Sequence, residues 1–257
     1  MDRNEYLENY LKAIGKPASV YNVDKLSKEE FAKIRNNGFG GSDSSKLLGC
    51  NPFCSTDELI NEKVNFVFDV DISKKASVRK GAELEPNILT KTENLFNEAF
   101  EEGCSIYKPT TMFKDDSSAL TMNFDGVLFM RDSIVAPVEA KLVTKYGKKH
   151  YDFSKAMYST VDGVWDKYRE IERPTTLIDP VQLADYYGIP EYYYTQVQQE
   201  IYFLNTTYGY LAVLDDDNWD LHIYKIHRND YVIGNLVFNS NKYWALVEAK
   251  RACKNIK

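Results

Sequence analysis

The sequence predicts an α/β fold in which a mixed central β-sheet is flanked by helices. Three observations predict it. Residues 106–143 alternate apolar and polar side chains as strands, roughly at 106–113, 119–124, 127–131 and 134–143. A second strand pair, Gly209 to Leu214 and Leu221 to Ile226, is joined by the turn Asp215-Asp216-Asp217-Asn218. Two segments, 81–100 and 190–204, read as helices, the first with an apolar stripe through Leu84, Ile88, Leu95 and Phe96.

In chain order, residues 1 to about 30 read as helical and peripheral. Asn4 to Ile14 is apolar at helical spacing, and Ser27-Lys28-Glu29-Glu30 has the form of a capping box that opens a second helix, ending near Asn36-Asn37-Gly38. Ser42 is placed to cap a short helix through Leu48, closed by Gly49, and Ser55 to cap another through Lys63. Pro86 suits a first turn, which puts Glu85 at or near the start of the helix 81–100. Asp125-Gly126 reads as a turn. Pro190 opens the helix 191–204, and a last amphipathic helix runs from about Asp230 to Ala252. No internal repeat or linker is visible. The reading is a single domain over 1–257, with an insertion or lid at 144–189.

Composition narrows the function. Nothing resembles a membrane span or a signal peptide, so no membrane partner is expected and the expected location is cytoplasmic. The four cysteines, Cys50, Cys54, Cys104 and Cys253, form no CxxC pair and read as reduced thiols rather than a zinc or iron–sulfur site. A net charge of −6 argues against a protein that coats nucleic acid by phosphate neutralisation. Any nucleic acid must be gripped locally, with part of the acidic excess gathered at a metal site.

The residues that carry chemistry lie on the predicted sheet. Asp125 ends one strand, and Glu139-Ala140-Lys141 lies inside another. Strand side chains alternate between faces, so Glu139 and Lys141 share a face while Ala140 turns to the core. Phosphodiester hydrolysis needs an activated water and compensation for charge on phosphorus, which one or two Mg²⁺ ions held by hard oxygen ligands supply. Asp125, Glu139 and the Ala140 carbonyl are candidate ligands, and Glu85, from the helix beside the sheet, is a fourth. Lys141 is placed to orient or deprotonate the water. Gly38 to Gly49 is a glycine-rich approach to a helix start, suited to binding an anion.

Four blocks in order give a resemblance: Arg35 with Ser42 in Gly40-Gly-Ser-Asp-Ser-Ser-Lys-Leu-Leu-Gly49; Gly81-x-x-Leu-Glu85-Pro86; Asp125-Gly126 with Glu139-Ala140-Lys141; and Tyr194-Thr-Gln196-Val-Gln198. Together they make the chain, from about residue 35 to 215, resemble the PD-(D/E)xK nuclease superfamily. Within it the chain is similar to the phage lambda-type exonucleases, or YqaJ-like viral recombinases. The resemblance implies a restriction-endonuclease-like core and Mg²⁺-dependent exonuclease action from a 5′ end of double-stranded DNA, with Mn²⁺ an expected substitute. It implies metal ligands at Glu85, Asp125, Glu139 and Ala140, a catalytic lysine at Lys141 and an active-site glutamine at Gln196. It also implies a 5′-phosphate grip by Arg35 and Ser42, a single-strand annealing protein as partner, and a homo-oligomeric ring, trimer or tetramer. Two departures stand out: Phe124 precedes Asp125 in place of proline, and the stretch from Lys141 to Gln196 is long. Two other functions stay open on the residues: an endonuclease of the same fold in restriction, repair or defence, and a DNA-end-binding module without turnover.

Overall fold

The computed structural model describes residues 2–16, 18–66, 76–100, 103–161 and 164–255. Its centre is a seven-stranded sheet, ordered β2 (Cys104–Tyr107), β5 (Gly126–Met130), β6 (Ser133–Val143), β9 (Tyr208–Asp215), β10 (Leu221–His227), β7 (Tyr158–Val161) and β8 (Val164–Tyr168). Neighbours are antiparallel except β6 and β9, which run parallel with Glu139 opposite Leu211 and Lys141 opposite Val213. This bears out a mixed sheet. Parallel strands need a crossover, and here the chain leaves β6, adds β7 and β8 to the far edge, and returns through a helix to β9. The segment read as an insertion therefore contributes two strands to the sheet. The pairings that place them, His222 with Ser159 and Ile223 with Tyr158, join residues far apart in sequence.

A second, smaller sheet, β1 (Ala18–Asn22), β3 (Thr111–Asp115) and β4 (Thr121–Met122), corrects two expectations. Residues 18–22 form an extended edge strand paired with β3, not part of a helical arm. Strands β3 and β4 leave the central sheet, so Asp125 stands at the break where the chain passes from one sheet to the other. The tight turn lies instead between β5 and β6, where Arg131 takes a left-handed conformation, φ 54°. Gly126 opens β5 because a Cβ there would meet Ile106 Cγ2 at 2.7 Å.

Helices cover both faces. On one lie α1 (Arg3–Ala13), α3 (Ser44–Leu47), α6 (Pro180–Tyr187), α7 (Glu191–Leu204) and α8 (Asp230–Asn255), packed on Val127, Val143, Leu211 and Val213. On the other, α5 (Ala76–Phe100) packs through Ile88, Leu89, Leu95 and Phe96 on Leu128, Val138, Ala140 and Ala212. The period of two along β6 decides which residues face which layer: Val138 and Ala140 go to α5, and Glu139, Lys141 and Val143 to α7. Strand β9 is buried along nearly its whole length, as a central strand covered on both faces must be.

The capping boxes are as expected. Ser27 and Glu30 cap α2 (Lys28–Asn36), and Ser55 and Glu58 cap α4 (Thr56–Asn65), each pair exchanging side chain and backbone N–H. Pro86 is not in a first turn. Helix α5 starts at Ala76, so Pro86 lies inside it and Glu85 is not at a helix start. An interior proline costs one backbone hydrogen bond. The acidic turn 215–218 joins β9 to β10, but it is not merely solvated: Lys148 pairs with Asp215 and Asp217 at 2.7 Å each, and Lys80 with Asp216. None of Cys50, Cys54, Cys104 and Cys253 is in a disulfide.

Candidate functional site

One cleft, of about 220 Å³, opens where β6 meets α7 and the loop after α2, and it is lined by Arg35, Ser42, Asp125, Glu139, Lys141 and Gln196. Six of the residues singled out in the sequence thus come together from three of the four blocks. Asn123 and Thr121 line it as well.

The floor is the Glu139–Lys141 pair. Glu139 is 1% exposed, and its Oε1 accepts from Lys141 Nζ and from Gln196 Nε2, the latter at 2.5 Å. Lys141 Nζ lies 3.8 Å from Asp125 Oδ2 and 5.3 Å from the centre of the Tyr193 ring, a cation–π contact. Asp125 Oδ2 accepts the Ala140 N–H at 3.1 Å, which ties the carboxylate to the strand beside it. The Ala140 side chain is packed in the core against α5.

Glu85 does not line the cleft with the others. It sits on α5, on the opposite face of the sheet from Glu139, and pairs with Lys108 at 2.5 Å. It remains near enough for its charge to act on Asp125. Among the described residues, no three Asp, Glu, His or Cys side chains are gathered in a metal-binding group.

The electrostatics explain what the floor lacks. Burial, then the charge of Glu139, pushes the Asp125 carboxyl well above its usual range, with Lys141 opposing. Burial also works against ionised Glu139, but the Lys141 ammonium and surrounding hydrogen bonds outweigh it and hold Glu139 low. Burial opposes the charge on Lys141, and the carboxylates of Glu139 and Asp125 outweigh it, so the ammonium is strongly retained.

A further acid, Glu200, was not singled out in the sequence. It follows Gln196 by four residues, one turn along the same face of α7. Burial and the adjacent Glu139 push Glu200 well up. Glu139 Oε2 and both Glu200 oxygens are buried without a hydrogen bond of ordinary geometry. A proton held between the two carboxyls would serve both. Three acids thus share one ammonium, and either protons or a bound cation must supply the missing positive charge. The donors are hard oxygens, the kind Mg²⁺ takes. Asp125 and Glu139 are the cleft carboxylates that would offer such oxygens, while Glu85 is paired with Lys108.

The wall is the loop after α2. Arg35 Nη2 donates to Ser42 Oγ at 3.1 Å, which fixes two phosphate-type donors side by side. Ser42 does not cap a helix, as its position suggested. Residues 41–43 form a 3₁₀ turn, and Ser42 is left facing the cleft. Gly41 lets α7 pass close: a Cβ there would meet Gln196 Cγ at 3.1 Å, so the glutamine would have to shift. Ser44 Oγ lies 2.7 Å from Gln199 Oε1, and Gln199 Nε2 donates to the carbonyls of Thr121 and Phe39 at 2.9 and 3.3 Å, binding loop, β4 and α7 into one frame.

Asp43 anchors that loop from behind. It is buried, its Oδ2 accepts from Gly40 N at 3.1 Å and from Lys63 at 3.0 Å, and its Oδ1 from Lys46 at 3.3 Å. Burial alone would raise its pKa, but the charges of Lys63, Lys46 and Arg35 bring it to about 2. A folded value below the unfolded one contributes stability above the unfolded value, near 4, and loses it as pH falls towards 2. The expected outcome is an acid unfolding limb between about pH 4 and pH 2 that Asp43→Asn flattens. The contribution at neutral pH is about 2 kcal/mol. Chemical denaturation across that range measures it, and an unchanged limb in Asp43→Asn would refute the assignment.

A helix-flanked mixed sheet with this strand order, carrying Asp125 and Glu139-Ala140-Lys141 at adjacent strands, defines a restriction-endonuclease-like fold. The chain belongs to the YqaJ-like viral recombinase family, whose domain model matches residues 30–208, well over half its length. Among solved structures it is similar to an alkaline exonuclease, LHK-Exo, from Laribacter hongkongensis. The identity is 14%, the TM-score 0.58, and the match covers 89% of this chain and 96% of that one. The same exonuclease in complex with dAMP matches at 14% identity and TM-score 0.57, over 90% and 100% of the two chains. No curated protein matches significantly.

Proposed function

We propose that the cleft hydrolyses DNA phosphodiester bonds with Mg²⁺, as an exonuclease that starts at the 5′ end of double-stranded DNA and serves recombination. One observation carries the reading: a paired Arg35–Ser42 phosphate grip shares a cleft with Asp125, Glu139, Lys141 and Gln196. An end-recognising group beside a hydrolytic floor is what cutting from a terminus needs. Membership of the viral recombinase family and similarity to an alkaline exonuclease support it.

The residues divide the work. Arg35 and Ser42 hold the terminal phosphate, the guanidinium by two-point contact. Asp125, Glu139 and the Ala140 carbonyl would hold Mg²⁺, with Glu85 or a water completing the shell. Mg²⁺ bound there supplies charge neutralisation and a water acidic enough to attack. Lys141, strongly protonated beside Glu139, donates hydrogen bonds to charge developing on the phosphate. Gln196 holds Glu139 in place through Oε1. The same family reading extends to Mn²⁺ as a substitute, to a single-strand annealing protein as partner, to a trimeric or tetrameric ring of this chain and to a cytoplasmic location. Light scattering on the purified protein measures the ring directly, and a monomer at all concentrations would remove it.

Linear duplex DNA with a 5′-phosphate is expected to be degraded while covalently closed circles persist. Removing the 5′-phosphate should slow degradation by about tenfold or more, and Arg35→Ala should erase that preference. Cutting of closed circles would favour an endonuclease on the same fold. Absence of any hydrolysis with Mg²⁺ or Mn²⁺ would favour a DNA-end-binding module.

A further inference from the structure

Past the catalytic floor, a file of aromatic rings runs outward from the cleft. Lys141 lies against Tyr193, the Tyr193 and Tyr192 ring centres are 4.5 Å apart, and Tyr192 lies 5.7 Å from Phe53. Phe53 ends the file with 78% of its surface exposed. A phenylalanine left this far in water forgoes the burial its ring would gain from an occupant.

The display is built. Asn51 Oδ1 accepts the backbone N–H groups of Phe53 and Cys54 at 2.9 Å each, and Asn51 Nδ2 donates to Ser45 Oγ at 2.7 Å. Ser45 is on α3, which follows the phosphate-gripping loop directly and is tied to α7 through Ser44 and Gln199. The loop that presents Phe53 is thus fixed to the same frame as Ser42. On α7, Tyr192 precedes Gln196 by four residues, on the same helix face and about 6 Å along the axis. One helix face therefore carries Gln196 into the hydrolytic floor and Tyr192 under Phe53.

We propose that Phe53 and Tyr192 form a nucleobase-stacking subsite, which holds the base of a nucleotide next to the phosphate gripped by Arg35 and Ser42. The inference rests on the nuclease reading for its substrate. An aromatic pair accepts any base, because every base has a π-face, so the subsite adds hold without sequence preference. It also suits a net charge of −6, because stacking holds a strand without neutralising its phosphates.

The test pairs protein variants with an altered substrate. With Mg²⁺ and 5′-phosphorylated duplex DNA, Phe53→Ala and Tyr192→Leu should each raise KM about 5- to 50-fold with little change in kcat. When the nucleotides near the 5′ end are abasic, wild type and variants should become equal, because the ring then has no base to meet. Phe53→Trp should restore the wild-type KM, and Phe53→Leu should not. Binding is read separately, without metal, by quenching of 2-aminopurine placed near the 5′ end of a phosphorylated oligonucleotide. Wild type should quench, and Phe53→Ala should not. Hydrolysis without quenching, or an equal loss on abasic and normal DNA, overturns the subsite. Quenching without any hydrolysis supports the subsite and overturns the nuclease. A Phe53→Ala enzyme that matches wild type on all DNA overturns it too, and assigns Phe53 to a protein partner.

Discussion

Substituting Lys141 by Met is expected to slow DNA hydrolysis by about 10²- to 10³-fold, the range for loss of one positioned donor to charge developing in the transition state. Lys141 is the cation in contact with both Glu139 and Asp125, and its ammonium points into the cleft. Its removal also has a structural consequence. Taking one partner from a buried ion pair commonly costs about 3–5 kcal/mol unless the survivor becomes neutral. Glu139 would keep the Gln196 hydrogen bond and take up a proton, so Lys141→Met should lose stability as pH rises and recover it as pH falls. Lys141→Arg separates the two roles. A guanidinium keeps the charge beside Glu139 but is a larger, planar fork that does not place its N–H groups where the ammonium does. It should restore thermal stability without restoring the rate. Single-turnover hydrolysis and melting curves on the three proteins decide the matter. A wild-type rate in Lys141→Met would remove Lys141 from the mechanism, and rescue of both properties by Arg would reduce it to a structural cation.

How much of this was legible in the sequence follows from the range of each signal. The Glu139-Ala140-Lys141 geometry was readable because strand alternation is local: three residues decide which face each takes. The capping boxes at Ser27 and Ser55 were readable for the same reason. What pairing decides over long range was not. Residues 18–22 are a strand because Val20 meets Phe113, and 158–161 join the sheet because Ile223 meets Tyr158. Neither partner can be seen from the segment itself. Pro86 misled because a first turn is its commonest helical position, whereas α5 begins ten residues earlier. With α5 extended, Glu85 rides on the far face of the sheet, and its ion pair with Lys108 is the result. Glu200 carried a usable signal that went unread: its four-residue spacing from Gln196 puts it on the site-facing side of α7, where a lone carboxyl has few reasons to be buried. Asp43 was within a recognised block, but its role as an anchor depends on Lys63, twenty residues on.

Asp125→Asn is expected to stabilise the metal-free protein while abolishing both activity and stabilisation by Mg²⁺. The sign follows from the direction of the shift. Asp125 has a folded pKa raised by burial and by Glu139, so the folded chain holds this proton more tightly than the unfolded one. Stability from that difference is present below the unfolded value and is lost as pH rises through the folded one. Asparagine has the same shape and no proton to lose, so the variant should not share the decline. At pH 8 a gain of about 1 kcal/mol would raise the melting temperature by roughly 2–4 °C in a domain of this size. Mg²⁺ should act oppositely on the two proteins. In wild type it would replace the proton on Asp125 as countercharge, and a concentration near 100 times its dissociation constant would add about 2.7 kcal/mol. In Asp125→Asn one hard anionic ligand is gone, and the added stability should fall to near zero. Melting curves at pH 6 and pH 8, with and without Mg²⁺, read every arm. A metal-free variant less stable than wild type at pH 8 would mean that Asp125 is charged and held by its partners. An undiminished Mg²⁺ response would place the ion elsewhere in the chain.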